Sequence, residues 1–141
     1  MEINRVLVAV SGSKSDGEAL TLACNTAKKS KAKVYVIYVI EVKRALPLDA
    51  ELSMENRRGE DVLGQAESVA EDLDYNVETE LLQAREAGSV IVDEAQERKV
   101  DLIVMGVDYK RRFGEFTLGD TANYVLKNAR CRVWVCREPI L

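Results

Sequence analysis

The sequence predicts one open α/β domain, a parallel sheet with helices on both faces, and three observations carry that prediction. Short β-branched runs alternate with longer segments of helical spacing along the whole chain. Those runs are apolar throughout rather than at every second residue, as in strands covered on both sides. The 141 residues suit a single domain spanning 1–141, which can bury roughly two thirds of its unfolded surface without a disulfide or metal staple. The resulting order β-α-β-α-β-α-β-α-β calls for right-handed crossovers between parallel strands.

The first strand is Val6-Leu7-Val8-Ala9-Val10. Ser15-Asp16-Gly17-Glu18 then has the form of a capping box and opens a helix whose apolar stripe is Ala19, Leu20, Ala23 and Ala27. Val34 to Ile40 is the second strand. The stretch from Glu41 to Glu60 carries Pro47, Gly59 and many charges, so it reads as a mobile loop with a partly formed helix start. A helix with Val62, Leu63, Ala66, Val69, Ala70 and Leu73 on one face follows. From Val77 to Leu82 apolar and charged residues alternate, the pattern of an edge strand. A third helix carries Ala87, Val90, Ile91 and Ala95, and Leu102 to Met105 is the fourth strand. Gly119-Asp120-Thr121 opens a last helix, with Asp120 as its N-cap and Ala122, Val125, Leu126 and Ala129 as its stripe, before the final strand Val133-Trp134-Val135.

Composition removes several classes of function. The chain has no histidine, which excludes imidazole bases, triads and imidazole metal ligands. Cys24, Cys131 and Cys136 have no Cys-x-x-Cys spacing and read as structural thiols of a reducing compartment. A net charge of −4 does not suit a nucleic-acid backbone as partner. No run reaches the ~20 apolar residues of a membrane span, and the N-terminus lacks a secretory pattern, so a cytoplasmic location is expected.

In an open parallel sheet, ligands bind beyond the carboxyl ends of the strands, where helix N-termini offer unpaired amides and a positive dipole end. Two loops qualify: Ser11-Gly12-Ser13-Lys14-Ser15, and the loop from Gly106 to Thr121.

Val8 to Ser13, Asp101-Leu102-Ile103-Val104-Met105-Gly106 and Gly119 to Val135 together resemble the universal stress proteins over nearly the whole chain. That resemblance implies a five-stranded sheet of order 3-2-1-4-5 of the adenine nucleotide alpha-hydrolase-like type. It also implies a homodimer pairing through the last strand at Val133, Trp134 and Val135, and ATP or another adenine nucleotide, with magnesium, bound in some members and no ligand in others. ATP-binding members resemble one another in a Gly-x2-Gly-x9-Gly-Ser/Thr pattern and an aspartate after the first strand. Here Gly106 and Gly119 fit the first and third glycines, whereas Tyr109, Asp120 and Ser11 stand at the second glycine, the hydroxyl and the aspartate. The implied binding residues are Ser11, Gly12 and Ser13 at the mouth, Ile40 packing on the base, and Gly106, Gly119, Asp120 and Thr121 at the phosphates.

The departures weaken triphosphate binding. Tyr109 restricts a backbone that a glycine would free, and is placed to stack on a base instead. A carboxylate at Asp120 repels a phosphate ~4 Å away by about 1 kcal/mol in water and about 4 kcal/mol at an effective dielectric of 20. Lys110-Arg111-Arg112, folding back over the phosphates, and Lys14 would offset this by about 0–1 kcal/mol per exposed pair. Two other readings stay open. One is a nucleotide-independent homodimeric interaction module using the 41–60 loop. The other is an ATP pyrophosphatase of the PP-loop kind, whose Ser-Gly-Gly-x-Asp-Ser loop Ser11 to Asp16 resembles imperfectly. No catalytic residue is assigned.

Overall fold

The computed structural model describes residues 2–140, and at 110–112 the backbone alone. Strand β1 (Arg5–Val10) lies at the centre of a parallel five-stranded sheet, flanked by β2 (Lys33–Glu41) and β4 (Leu102–Val107). Beyond these lie β3 (Glu78–Ala84) and β7 (Arg132–Arg137), giving the order β3-β2-β1-β4-β7. Counted within the sheet, this is the expected 3-2-1-4-5. The label β7 arises because a two-stranded hairpin, β5 (Lys110–Arg112) with β6 (Glu115–Thr117), folds within the long loop after β4.

The continuous apolar runs follow from burial on both faces. In β1, Val6, Val8 and Val10 pack with helices α1 (Asp16–Lys28) and α2 (Ser53–Asp72). Leu7 and Ala9 pack on the other side with α3 (Ala87–Glu97) and α4 (Asp120–Asn128). Each fully buried aliphatic side chain contributes roughly 1.5–3 kcal/mol, so this strand anchors both layers. Asp101 pins the sheet's lower end, its Oδ2 accepting from the amides of Asn4 at 2.7 Å and Arg5 at 3.0 Å. Trp134 is half-buried against the α1 side of the core, and Val133 and Val135 against the other.

Three local expectations need correction, and one is sharpened: the helix start expected within the 41–60 stretch is helix α2 itself, fully formed from Ser53. Gly59 looks like a breaker, yet a Cβ there would come within 2.5 Å of Leu81 Cδ1 and 2.9 Å of the Tyr38 ring. The missing side chain lets the helix approach the sheet. The capping box does not form: Ser15 is the N-cap of α1, but its hydroxyl donates to the Val107 carbonyl at 3.0 Å instead of capping the helix. At α4 the N-cap is Gly119, with φ 85° and ψ 166°, and Asp120 is the first helical residue. That backbone conformation is essentially glycine's alone. Finally, Leu126 is 45% exposed, so the α4 stripe is carried by Ala122 and Val125.

Candidate functional site

The carboxyl ends of β1, β2 and β4 and the N-termini of α3 and α4 enclose a cavity of about 300 Å³. That is the lower end of the range of small-ligand cavities, ~300–1,000 Å³. Ile37, Val39, Ile91, Met105 and Leu118 give it an apolar side, and Ser11, Ser13 and Thr121 line it with hydroxyl-bearing residues. Gly106 and Gly119 line it as well.

Two of the expected residues do not. Side chains alternate along a strand, so Ile37, Val39 and Glu41 face the cavity and Ile40 points to the opposite face of the sheet. Gly12 lies across the loop, lining a neighbouring cavity of about 370 Å³ with Lys14 and Asp16. Strand parity was available in the sequence and identifies Val39 as the residue for the place assigned to Ile40. Asp108, two residues beyond Gly106, carried no such signal.

Gly106 has a structural reason to be glycine. A Cβ on it would stand 2.7 Å from the Ser15 Cβ and 2.7 Å from the Ser15 carbonyl oxygen. Its absence therefore seats the start of α1 against β4. Tyr109 is not on the cavity wall. Its ring stacks on Phe116 across the hairpin at 5.4 Å between centroids, with the Arg137 guanidinium 5.5 Å above Tyr109 and 5.9 Å above Phe116. The hairpin turns tightly through Phe113 and Gly114, both at positive φ. The expected clamp by the Lys110, Arg111 and Arg112 side chains lies outside the described residues.

The charged side chains described around the cavity are acidic. Among the described residues that line it the charged ones are Glu41, Asp108 and Asp120, with no cation between them. Glu41 Oε2 accepts from the Ala87 amide at the N-terminus of α3, at 2.9 Å. Asp120 occupies the first turn of α4, where a carboxylate is favoured by the helix dipole. In the β1–α1 loop, Asp108 Oδ1 accepts from Ser13 Oγ at 2.7 Å and from the Lys14 amide at 3.2 Å. Asp16 accepts from the amides of Gly12 at 2.8 Å and Ser11 at 3.3 Å. Burial pushes the Asp16 carboxyl above its ordinary value; the amides of Gly12 and Ser11 oppose the shift, and the nearby charge of Asp108 reinforces it. Among the described residues there is no group of three or more acidic or thiol side chains that could hold a metal ion, and no helix long and apolar enough to cross a membrane.

Residues 2–137 match the family model described as the universal stress protein family. The chain is 36% identical to a universal stress protein of Methanocaldococcus jannaschii, over 96% of this chain and 82% of that one. Among solved structures it is similar to the universal stress protein UspA from Lactobacillus plantarum, with a TM-score of 0.78 at 29% identity over 97% of this chain and 99% of that one. It is also similar in fold to a universal stress protein from Archaeoglobus fulgidus in complex with dAMP, with a TM-score of 0.75 at 24% identity over 96% and 98% of the two chains.

Proposed function

The chain belongs to the universal stress protein family, and from that premise we propose that it is a regulatory domain that binds an adenine nucleotide weakly in the cavity at the carboxyl edge of its sheet. The observation that carries this reading is the cavity itself. Apolar walls from Ile37, Val39, Met105 and Leu118 suit the faces of a purine, and the hydroxyls of Ser11 and Thr121 suit a ribose. A relative of the same fold was solved with dAMP, which supports a nucleotide of that class here. Glu41, Asp108 and Asp120 around the same space weaken the hold on a phosphate chain. Magnesium belongs to the reading only as the counterion that a nucleotide would bring with it.

Titration calorimetry with adenosine and AMP, against guanosine and GMP, tests this. We expect micromolar to millimolar binding of the adenine compounds, with the guanine ones as the comparison. Heats of dilution alone, at millimolar ligand, would remove the reading.

A second reading rests on β7, whose outer edge has no strand paired to it among the described residues. Val133, Trp134 and Val135 lie in this half-buried strand. An open edge of this kind pairs readily with another chain, and a homodimer formed there would act as an interaction module. Light scattering checks it, and a monomer at high micromolar concentration would contradict it. A PP-loop enzyme draws no support from the β1–α1 loop, whose amides are engaged by Asp16 and Asp108.

A further inference from the structure

Two elements project beyond the carboxyl edge of the sheet on either side of β1, and each presents exposed apolar side chains. The hairpin that follows β4 carries Phe113, 94% exposed, at its turn. The segment that follows β2 runs into α2 and carries Leu46, Leu48 and Met54, the last 81% exposed. Both elements are held in place. The Tyr109–Phe116 stack under Arg137 fixes the base of the hairpin. Gln83 Nε2 donates to the carbonyls of Leu48 at 2.9 Å and Ala50 at 3.1 Å. Arg85 Nη1 donates to those of Lys43 at 2.7 Å and Val42 at 3.3 Å, so the segment is tied to the end of β3.

Their charges are opposite. Between Arg44 and Arg57 the chain has Asp49, Glu51 and Glu55 and no cation, whereas the hairpin has Lys110, Arg111 and Arg112 against Glu115 alone. Exposed apolar side chains set among charges of one sign mark a surface for association. Here the complementary surface, apolar and of the other sign, is on the same chain. We propose that these two elements are the halves of a self-complementary interface whose partner is a second copy of this chain. Because one follows β4 and the other β2, they flank the mouth of the cavity and extend beyond the same edge. A two-fold axis lying across that edge sets each hairpin on the partner's 45–56 segment, so both contacts form at once and the assembly closes as a dimer. Fixing both elements in advance lowers the ordering cost of association. This interface uses neither the edge of β7 nor a ligand in the cavity, so it stands or falls apart from both readings above.

The test pairs two charge reversals, Arg111→Glu with Arg112→Glu in the hairpin and Asp49→Lys with Glu51→Lys in the segment, read by analytical ultracentrifugation. We expect the wild type to self-associate at micromolar concentration. Association should weaken as salt rises from ~0.1 to ~1 M and the screening length falls from about 10 to about 3 Å. Each reversed protein alone, and Phe113→Ser, should associate roughly tenfold more weakly or worse. An equimolar mixture of the two reversed proteins should recover a dimer of wild-type strength, because each of its contacts again joins opposite charges. Reversed proteins with native circular dichroism that fail alone and do not recover when mixed would overturn the proposal. Association that neither reversal changes would overturn it too, since the contact then lies on another surface such as β7. So would a wild type that stays monomeric at high micromolar concentration in low salt, or that binds vesicles of anionic lipid through Phe113 instead.

Discussion

Replacing Gly106 with alanine separates two explanations of the same residue. If glycine stands there to let a phosphate approach the backbone, Gly106→Ala should alter nucleotide binding and leave stability alone. The geometry instead makes it a packing residue, since the new Cβ would meet Ser15 at its Cβ and carbonyl oxygen at 2.7 Å each and at its carbonyl carbon at 2.8 Å. Two of those atoms are backbone of the residue that caps α1, so the strain cannot be relieved by a rotamer change. The helix must shift, and the bond from Ser15 Oγ to the Val107 carbonyl shifts with it. Overpacking of this kind costs about 1–3 kcal/mol. With a urea m-value of about 1–3 kcal/mol/M, the unfolding midpoint should fall by roughly 0.3–3 M at unchanged m. Gly64→Ala is the control. That position is exposed within α2 and a Cβ there meets nothing within 4 Å, so alanine should stabilise by about 0.5–1 kcal/mol through helix propensity. A Gly106→Ala protein within about 0.5 kcal/mol of wild type, at equal m, would refute the packing explanation.

Other substitutions probe the same elements. Gly119→Ala should destabilise by about 1–3 kcal/mol in denaturant melts although its site is open, because the cost is conformational, at φ 85° and ψ 166°. Cys24 is fully buried, and desolvation raises its thiol pKa, with Lys28 opposing the shift. Alkylation of Cys24 at neutral pH, followed by mass spectrometry, should therefore track unfolding; labelling at the rate of a free thiol would contradict its placement. The Asp16 carboxyl is held above its ordinary 3.8 chiefly by burial. The unfolded chain ionises this group first as pH rises, so its ionisation costs stability between 3.8 and the raised value. The stability of wild type relative to Asp16→Asn should accordingly improve as pH falls through that window, and a difference that is flat with pH would show that Asp16 is solvated.

Where hydrophobic pattern alone decides structure, the sequence was readable. Val6 to Val10 and Leu102 to Met105 are apolar because both faces of the sheet are covered, and Val77 to Leu82 alternate because β3 is an outer strand. Legibility fails where a tertiary contact overrides a local preference. Gly59 reads as a helix breaker until Tyr38 and Leu81 are seen beneath it. Ser15 has the chemistry of a cap, but a carbonyl at the end of β4 claims its hydroxyl. The lining of the cavity was legible to the same degree. Ser11 and Ser13 line it because they follow β1, Gly106 because it lies near the end of β4, and Gly119, Asp120 and Thr121 because they open α4 at the same edge. Ile40 was misplaced by one residue, which in a strand means the opposite face. Tyr109 was assigned to a base because nothing local reveals that Phe116 and Arg137 fold over it. Asp108 stayed invisible, since its partners Ser13 and Lys14 are 95 and 94 residues away.

The proposed adenine base enters the cavity against the residues of β2 and β4 that point into it. Methyl-resolved NMR during titration with adenosine tests that claim residue by residue. The methyl resonances of Ile37, Val39, Ile91, Met105 and Leu118 should move together with one affinity, while that of Ile40, on the far face of the same strand, stays in place. Movement of Val62, Val69 and Leu20 instead, around the neighbouring cavity beside α2, or no movement at millimolar adenosine, would contradict it.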